Sequence, residues 1–275
     1  MTGFELTSAL YDIFRELSKT AIFQELCDEQ SSTGPGQCIY CRTLEARFST
    51  EEHVFPEGLG NDEIILEKGY VCDRCNNGLL AQLDQALLDF GPIAFLRVLY
   101  VPHTKGGKFP SANLRNMAIK KTAPTCIAID AKDRTGLPYN LEDLGNDGVR
   151  FQFSASKHMP NPILIGRAYF KIALGMIAYN HSAEFALAER YEPARAFVRG
   201  ERGFPNRLIL ATLAEPHRNL IVYWQKLERG TIFFIDIFGV VAVFNMEDES
   251  PVPFPDNFDL SKCIVFELSK SAAAR

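Results

Sequence analysis

From Asn76 onward apolar residues recur with helical spacing, at Leu79, Leu80, Leu83, Leu87 and Leu88, which predicts an amphipathic helix. A longer helical stretch is expected where Asn161-Pro162 opens the run 163–187, with a shorter helix over 193–198. The segments 118–121, 125–130 and 149–154 read as short strands. Beyond them, 207–214, 219–226, 231–237, 240–245 and 263–268 alternate or run apolar between turn residues, as strands of a largely antiparallel sheet do. Glu215-Pro216, Arg229-Gly230 and Phe238-Gly239 supply the turns.

The first third is organised differently. Residues 1–29 read as an amphipathic helical lead-in, and 31–36 (Ser-Ser-Thr-Gly-Pro-Gly) as a linker. Glu52-His53 reads as a short strand that ends in a loop with Pro56, Gly58 and Gly60, and 68–72 as a second strand. With Asn76 as a favoured helix cap, the order is strand, loop, strand, helix. The expected fold class is α+β. A helical lead-in (1–30) precedes a compact ββα module (31–90), and a mixed α+β domain with a largely antiparallel sheet follows (91–275).

Two Cys-x-x-Cys pairs, Cys38/Cys41 and Cys72/Cys75, bracket that module. Each such turn presents two thiolates to one ion, so the four suit a tetrahedral structural zinc that keeps no open position for substrate. The 30 residues between the pairs exceed the spacing of a compact zinc ribbon, so the knuckles hold an insert. Disulfides are disfavoured by the odd total of seven cysteines and by the lack of an apolar signal segment at the start. Cys27, Cys126 and Cys263 are expected as buried thiols.

Glu52, His53 and Asn76 resist a purely structural explanation. They set a potential base, a carboxylate and an amide oxygen close together, the parts that metal-assisted hydrolysis uses. A neutral imidazole takes a proton near neutral pH. One carboxylate and one amide oxygen suit Mg²⁺ or Mn²⁺, which keep water-filled positions when bound this way. Glu51 and Glu57 compete with Glu52 for that role, and Asn77 with Asn76.

The series Cys-x-x-Cys, Glu-His-Val-Phe-Pro, Leu-Gly-Asn and Cys-x-x-Cys-Asn-Asn resembles the zinc-containing HNH endonucleases of the standalone bacterial type, over roughly Cys38 to Asp84. A weaker echo is Gly166-Arg167-Ala168-Tyr169-Phe170-Lys171-Ile172-Ala173, similar to a downstream segment of some such members. The resemblance implies a ββα-metal fold with Glu52 as the metal-binding acid, His53 as the general base and Asn76 as the third motif residue. The family's central asparagine falls at Glu67 or Lys68 here, and Asn61 is the open alternative. The implied function is metal-dependent hydrolysis of DNA, with RNA also compatible, in a bacterial defence effector. The alternative is a zinc-stapled nucleic-acid or protein binding module whose nuclease centre has decayed.

Charge changes this picture. The net charge of -5 is awkward for a phosphate binder, but it is unevenly spread. Residues 1–90 carry 6 basic against 16 acidic side chains, and 91–230 carry 20 against 11. The middle segment must therefore supply the grip, with Lys105, Lys108, Arg115, Lys120 and Lys121 as candidates. His103 lies beside that basic loop, whereas His158, His181 and His217 read as loop or packed residues. No run approaches the ~20 apolar residues of a membrane helix, and a cytoplasmic location is expected. A homodimer, and a regulatory ligand or partner protein on the C-terminal domain, are compatible with the resemblance.

Overall fold

The computed structural model describes residues 36–114, 117–124, 126–131, 140–143, 149–152, 161–201, 207–212, 216–227, 230–247 and 264–267. The expected lead-in and linker up to residue 35, Cys27, Arg115 and Cys263 lie outside these residues.

A minimal antiparallel hairpin comes first. β1 (Glu52–His53) pairs with β2 (Ile65–Leu66), in the register Glu52↔Leu66 and His53↔Ile65. Val54 N donating to Ile64 O at 3.1 Å extends the pairing. The intervening loop tightens into a 3₁₀ turn, Glu57–Leu59, closed by Gly60 at φ 81. Only glycine takes that left-handed conformation without steric cost. The second strand expected at 68–72 is displaced to 65–66. Gly69 (φ 99) turns the chain there, and Tyr70 O instead accepts from Ile39 N in the first knuckle at 3.0 Å.

The helix of the module opens with a π-helical turn, Cys75–Leu80, and continues as α1 (Ala81–Leu88), burying Leu80, Leu83 and Leu87. Its cap is Arg74, so Asn76 lies inside the helix and does not cap it. Gly91-Pro92 opens α2 (Gly91–Tyr100), which the apolar pattern had not separated from its surroundings. The hairpin β3 (Ser111–Leu114) and β4 (Met117–Ala123), extended by β5 (Cys126–Ala131), forms a three-stranded antiparallel sheet. Its Ala112, Met117 and Ile119 pack on Ala94 and Val98 of α2. Cys126, expected as buried, is exposed at the start of β5. β6 (Asn140–Asp143) and β7 (Val149–Gln152) make a separate antiparallel pair.

The centre of the fold is α3 (Pro162–Asn180), capped by Asn161, whose side chain accepts from Ile163 N. It is apolar almost all round and buried from Ile165 to Ala178 with few exceptions, as such a helix must be. By length and composition alone it would also cross a membrane. It breaks at His181, and Ser182 caps the short α4 (Ala183–Ala186); α5 (Glu192–Arg199) follows.

The C-terminal sheet is antiparallel throughout, in the order β12 (Ile264–Glu267), β8 (Arg207–Thr212), β11 (Val240–Asn245), β10 (Gly230–Ile237) and β9 (Leu220–Leu227). Every residue of β10 and β11 is buried, which explains their continuous apolar runs. Trp224, Phe233, Phe244 and Phe170 stand in a row of ring contacts at 5.8, 5.9 and 4.5 Å, linking edge strand to α3. One hydrophobic cluster runs from Cys38 to Met246, with α3 packed against both the N-terminal module and the sheet.

Candidate functional site

The four cysteines converge as their spacing predicts. Their sulfur atoms all lie within 4.8 Å of one another, and Cys41 and Cys72 Sγ are 3.6 Å apart. That separation is far beyond a disulfide bond. It is close to the edge of a tetrahedron with Zn–S bonds of ~2.3 Å, about 3.8 Å. The Cys75 sulfur beside it draws the Cys38 thiol down to about 5 against the opposing effect of burial. This donor set fits a structural zinc. Among the described residues no other group of three or more His, Cys, Asp or Glu is placed to hold an ion.

The second knuckle also organises the approach to β1. Asp73, between the cysteines, accepts from Ser49 N (2.7 Å), Ser49 Oγ (2.6 Å), Thr50 N (3.2 Å) and Thr50 Oγ1 (3.1 Å). These bonds hold its carboxyl below the usual range. Asn76 adds two more, with Nδ2 donating to Thr50 Oγ1 at 3.1 Å and to Glu51 O at 2.7 Å. Between them, Asp73 and Asn76 thus pin the three residues before Glu52. Nothing in the local pattern marks Asp73, a surface acid by type.

On β1, Glu52 turns inward at 3% exposure and His53 is half-buried. His53 Nδ1 lies 3.0 Å from Asn61 O. A carbonyl only accepts, so in the neutral ring the proton sits on Nδ1 and Nε2 has the lone pair. Asn61 is itself buried, and its side chain braces the loop. Nδ2 donates to Phe55 O and Ile64 O, each at 3.0 Å, and Oδ1 accepts from Ile64 N at 3.0 Å. Asn61, the open alternative to Glu67 or Lys68, is thus placed as the brace of this loop. Those two positions instead lead into the turn at Gly69.

Glu52 faces two groups that its sequence neighbourhood does not show. Lys171 of α3 places Nζ 2.6 Å from Glu52 Oε1 and 3.0 Å from Asp84 Oδ1, with no exposure of its own. Burial pushes the Glu52 carboxyl up to about 7, and Lys171 opposes that rise. Asp84, left unassigned from sequence, is likewise raised by burial, and Lys171 and His53 oppose the rise.

The basic candidates separate. Lys108 and Lys120 are exposed. Lys121 does not belong with them: it is 4% exposed, and Nζ donates to Leu99 O and Val101 O at 3.0 Å each. Alternation on β4 turns it inward, where its ammonium satisfies carbonyls at the end of α2. Lys105 lies in the turn Lys105–Gly107. Arg218 was not singled out in the sequence; with Asn219–Ile221 it faces the Leu59–Ile64 loop across a cleft of about 530 Å³. His217 is held by Asp236 at 2.9 Å, and His181 stacks on Phe185, so neither histidine reaches the Glu52–His53 region.

Comparison with curated proteins and with solved structures gives no match. A family model does match, over the stretch that runs from the first cysteine of the cluster to just past α1. Residues 38–89, the stretch that carries the four-cysteine cluster, are matched by the model of the HNH endonuclease family.

Proposed function

We propose that the chain is a metal-dependent endonuclease that hydrolyses phosphodiester bonds of DNA, with His53 as the base that activates water. The observation that carries this reading is the 3.0 Å contact between His53 Nδ1 and Asn61 O. It commits the ring to the tautomer in which Nε2 accepts a proton, the requirement for a general base. Asn61 fixes the loop that provides the carbonyl, and the thiolate cluster fixes the knuckle that pins Thr50 and Glu51.

Glu52 and Asn76 are the residues that would hold a divalent ion. A carboxylate has acceptor capacity beyond the single contact Oε1 makes with Lys171. Asn76 Nδ2 is committed to Thr50 and Glu51, so Oδ1 is the amide atom suited to a cation. These are hard oxygen donors of the kind Mg²⁺ and Mn²⁺ accept. When bound, such an ion neutralises phosphate charge and supports the departing oxygen. Lys108 and Lys120 are the proposed contacts to the nucleic-acid backbone, with Lys105 and Arg115. A defence role is the setting that the resemblance to standalone bacterial members supports.

The test is incubation of zinc-loaded protein with supercoiled plasmid, single-stranded DNA and RNA, in Mg²⁺, Mn²⁺ or EDTA. Divalent-dependent nicking or linearisation of plasmid is the expected result. No cutting of any nucleic acid under either ion would leave the zinc-stapled binding module as the reading.

A further inference from the structure

We propose that Lys171 is a positioning residue of the nuclease centre, contributed by α3 from outside the matched segment, and that its ammonium holds the Glu52 carboxylate and the His53 main chain in place. This rests on the endonuclease reading above.

The contacts are specific. Lys171 Nζ donates to His53 O at 2.7 Å and Val54 O at 3.2 Å, besides its contacts with Glu52 Oε1 at 2.6 Å and with Asp84 Oδ1 and Oδ2 at 3.0 and 3.3 Å. One nitrogen meets five oxygens, a task for a compact ammonium and not for a planar guanidinium. Two of those oxygens belong to the candidate base's own peptide carbonyl and to the candidate metal-binding carboxylate. The remainder come from Val54 and from Asp84 on α1.

The helix that delivers this group is anchored on the same side. Tyr40, between the first two cysteines, donates its hydroxyl to Lys171 O at 3.0 Å. Gly175, one turn further along α3, lets Val54 approach so closely that a Cβ there would lie 3.0 Å from Val54 Cγ1. Residue 171 is thus tied through its main chain to the first knuckle and through its side chain to β1. With both carboxylates ionised, the cluster carries one net negative charge. Burial pulls the Lys171 ammonium down, but Asp84 and Glu52 outweigh it and keep the group raised. A bare counterion would have no need of the His53 carbonyl. If stability alone were served, apolar residues of similar volume would do as well as a buried charge cluster.

The experiment uses the zinc-loaded full chain in three forms: wild type, Asp84→Asn, and Lys171→Met combined with Asp84→Asn. Lys171→Met alone would strand two buried carboxylates, and the second change removes one of them. Against Asp84→Asn, the double variant should keep its zinc and stay folded with a lower melting temperature, yet lose roughly a hundredfold in kcat with KM for plasmid unchanged, the penalty of a misplaced catalytic group. In protein labelled with ¹⁵N-histidine, the ring signals of His53 should move while those of the other four histidines stay. A double variant with the kcat and the His53 signals of Asp84→Asn would overturn the proposal and leave Lys171 a counterion only. If the double variant does not fold, Lys171→Arg decides. A folded Arg variant with low kcat and shifted His53 signals upholds positioning, and one that restores both refutes it. Wild-type protein that cuts nothing would sink the endonuclease reading, whereas the ring signals still judge Lys171.

Discussion

The imidazole of His53 and the main-chain oxygen of Asn61 meet at 3.0 Å across a loop of seven intervening residues, and that single contact decides which ring nitrogen can act. The Asn61 side chain bonds that loop from within, at Phe55 and Ile64. Backbone position and side-chain bracing come from the same residue.

His53→Ala removes the proposed base without touching the thiolates or the Asn61 braces. Cleavage should fall by roughly 10²–10⁴-fold, the usual worth of general base catalysis. Zinc content and melting temperature should stay at wild-type values. Undiminished cutting by the purified variant would remove His53 from the mechanism, and loss of zinc would make it a structural ligand.

Asn61→Ala leaves Phe55 O, Ile64 O and Ile64 N without their side-chain partner in a buried loop. The expected destabilisation is on the order of 2–4 kcal/mol, read by urea unfolding. Asn61→Asp should fare no better. A carboxylate accepts from Ile64 N but cannot donate to the two carbonyls, and its charge is set against them. An Asp variant as stable as wild type would show that the bracing bonds carry little energy.

Zinc removal should act on the hairpin before it acts on the C-terminal sheet. The cluster orders the knuckle, and Asp73 and Asn76 pass that order to Ser49, Thr50 and Glu51. Metal analysis should find about one zinc per chain. Cys72→Ser or strong chelation should unfold the 38–89 region, since structural zinc contributes on the order of 10 kcal/mol in small zinc peptides. Hydrogen exchange in β10 and β11 should persist longer than in β1 and β2. Protein that is metal-free yet protected throughout would refute the four-thiolate site.

Much of this was legible in the chain. Cysteine pairs, the short strand at Glu52-His53, the Asn161 cap and the strands from β8 onward follow from spacing and alternation, which are local signals. What escaped was non-local or a matter of degree. Lys171 lies 118 positions from His53, and no periodicity connects them. The second strand was placed too late because 68–72 is apolar enough to pair, although Gly69 turns it toward the first knuckle. Lys121 had the composition of a surface base, and only the strand face of β4 shows that it is buried.

Gly175→Ala sets helix propensity against packing. In an exposed helix the change would gain ~1 kcal/mol. Here the new methyl would lie 3.0 and 3.3 Å from the Val54 methyls and 3.4 Å from Tyr40 Oη, in a fully buried contact. The expected net effect is a loss of about 1–3 kcal/mol, as overpacking typically costs. Val54→Ala in the same chain should recover part of it, and additive losses in the double variant would mean that the two side chains do not compete for the space.

The nucleic-acid surface is tested by salt. Binding of an uncut duplex, measured in EDTA, should weaken linearly in the logarithm of salt concentration. Lys108→Ala and Lys120→Ala expose no buried group, so they should leave stability alone while each lowers the slope by about one. Lys121→Met makes the opposite prediction. It deprives Leu99 O and Val101 O of their donor at the end of α2, which should cost about 1–3 kcal/mol of stability, and it should leave the slope as it was. The three variants therefore divide one basic stretch into contact and support. If Lys108 and Lys120 leave the slope unchanged, the grip lies elsewhere, and Arg218 at the cleft beside the Asn61 loop is the next cation to remove.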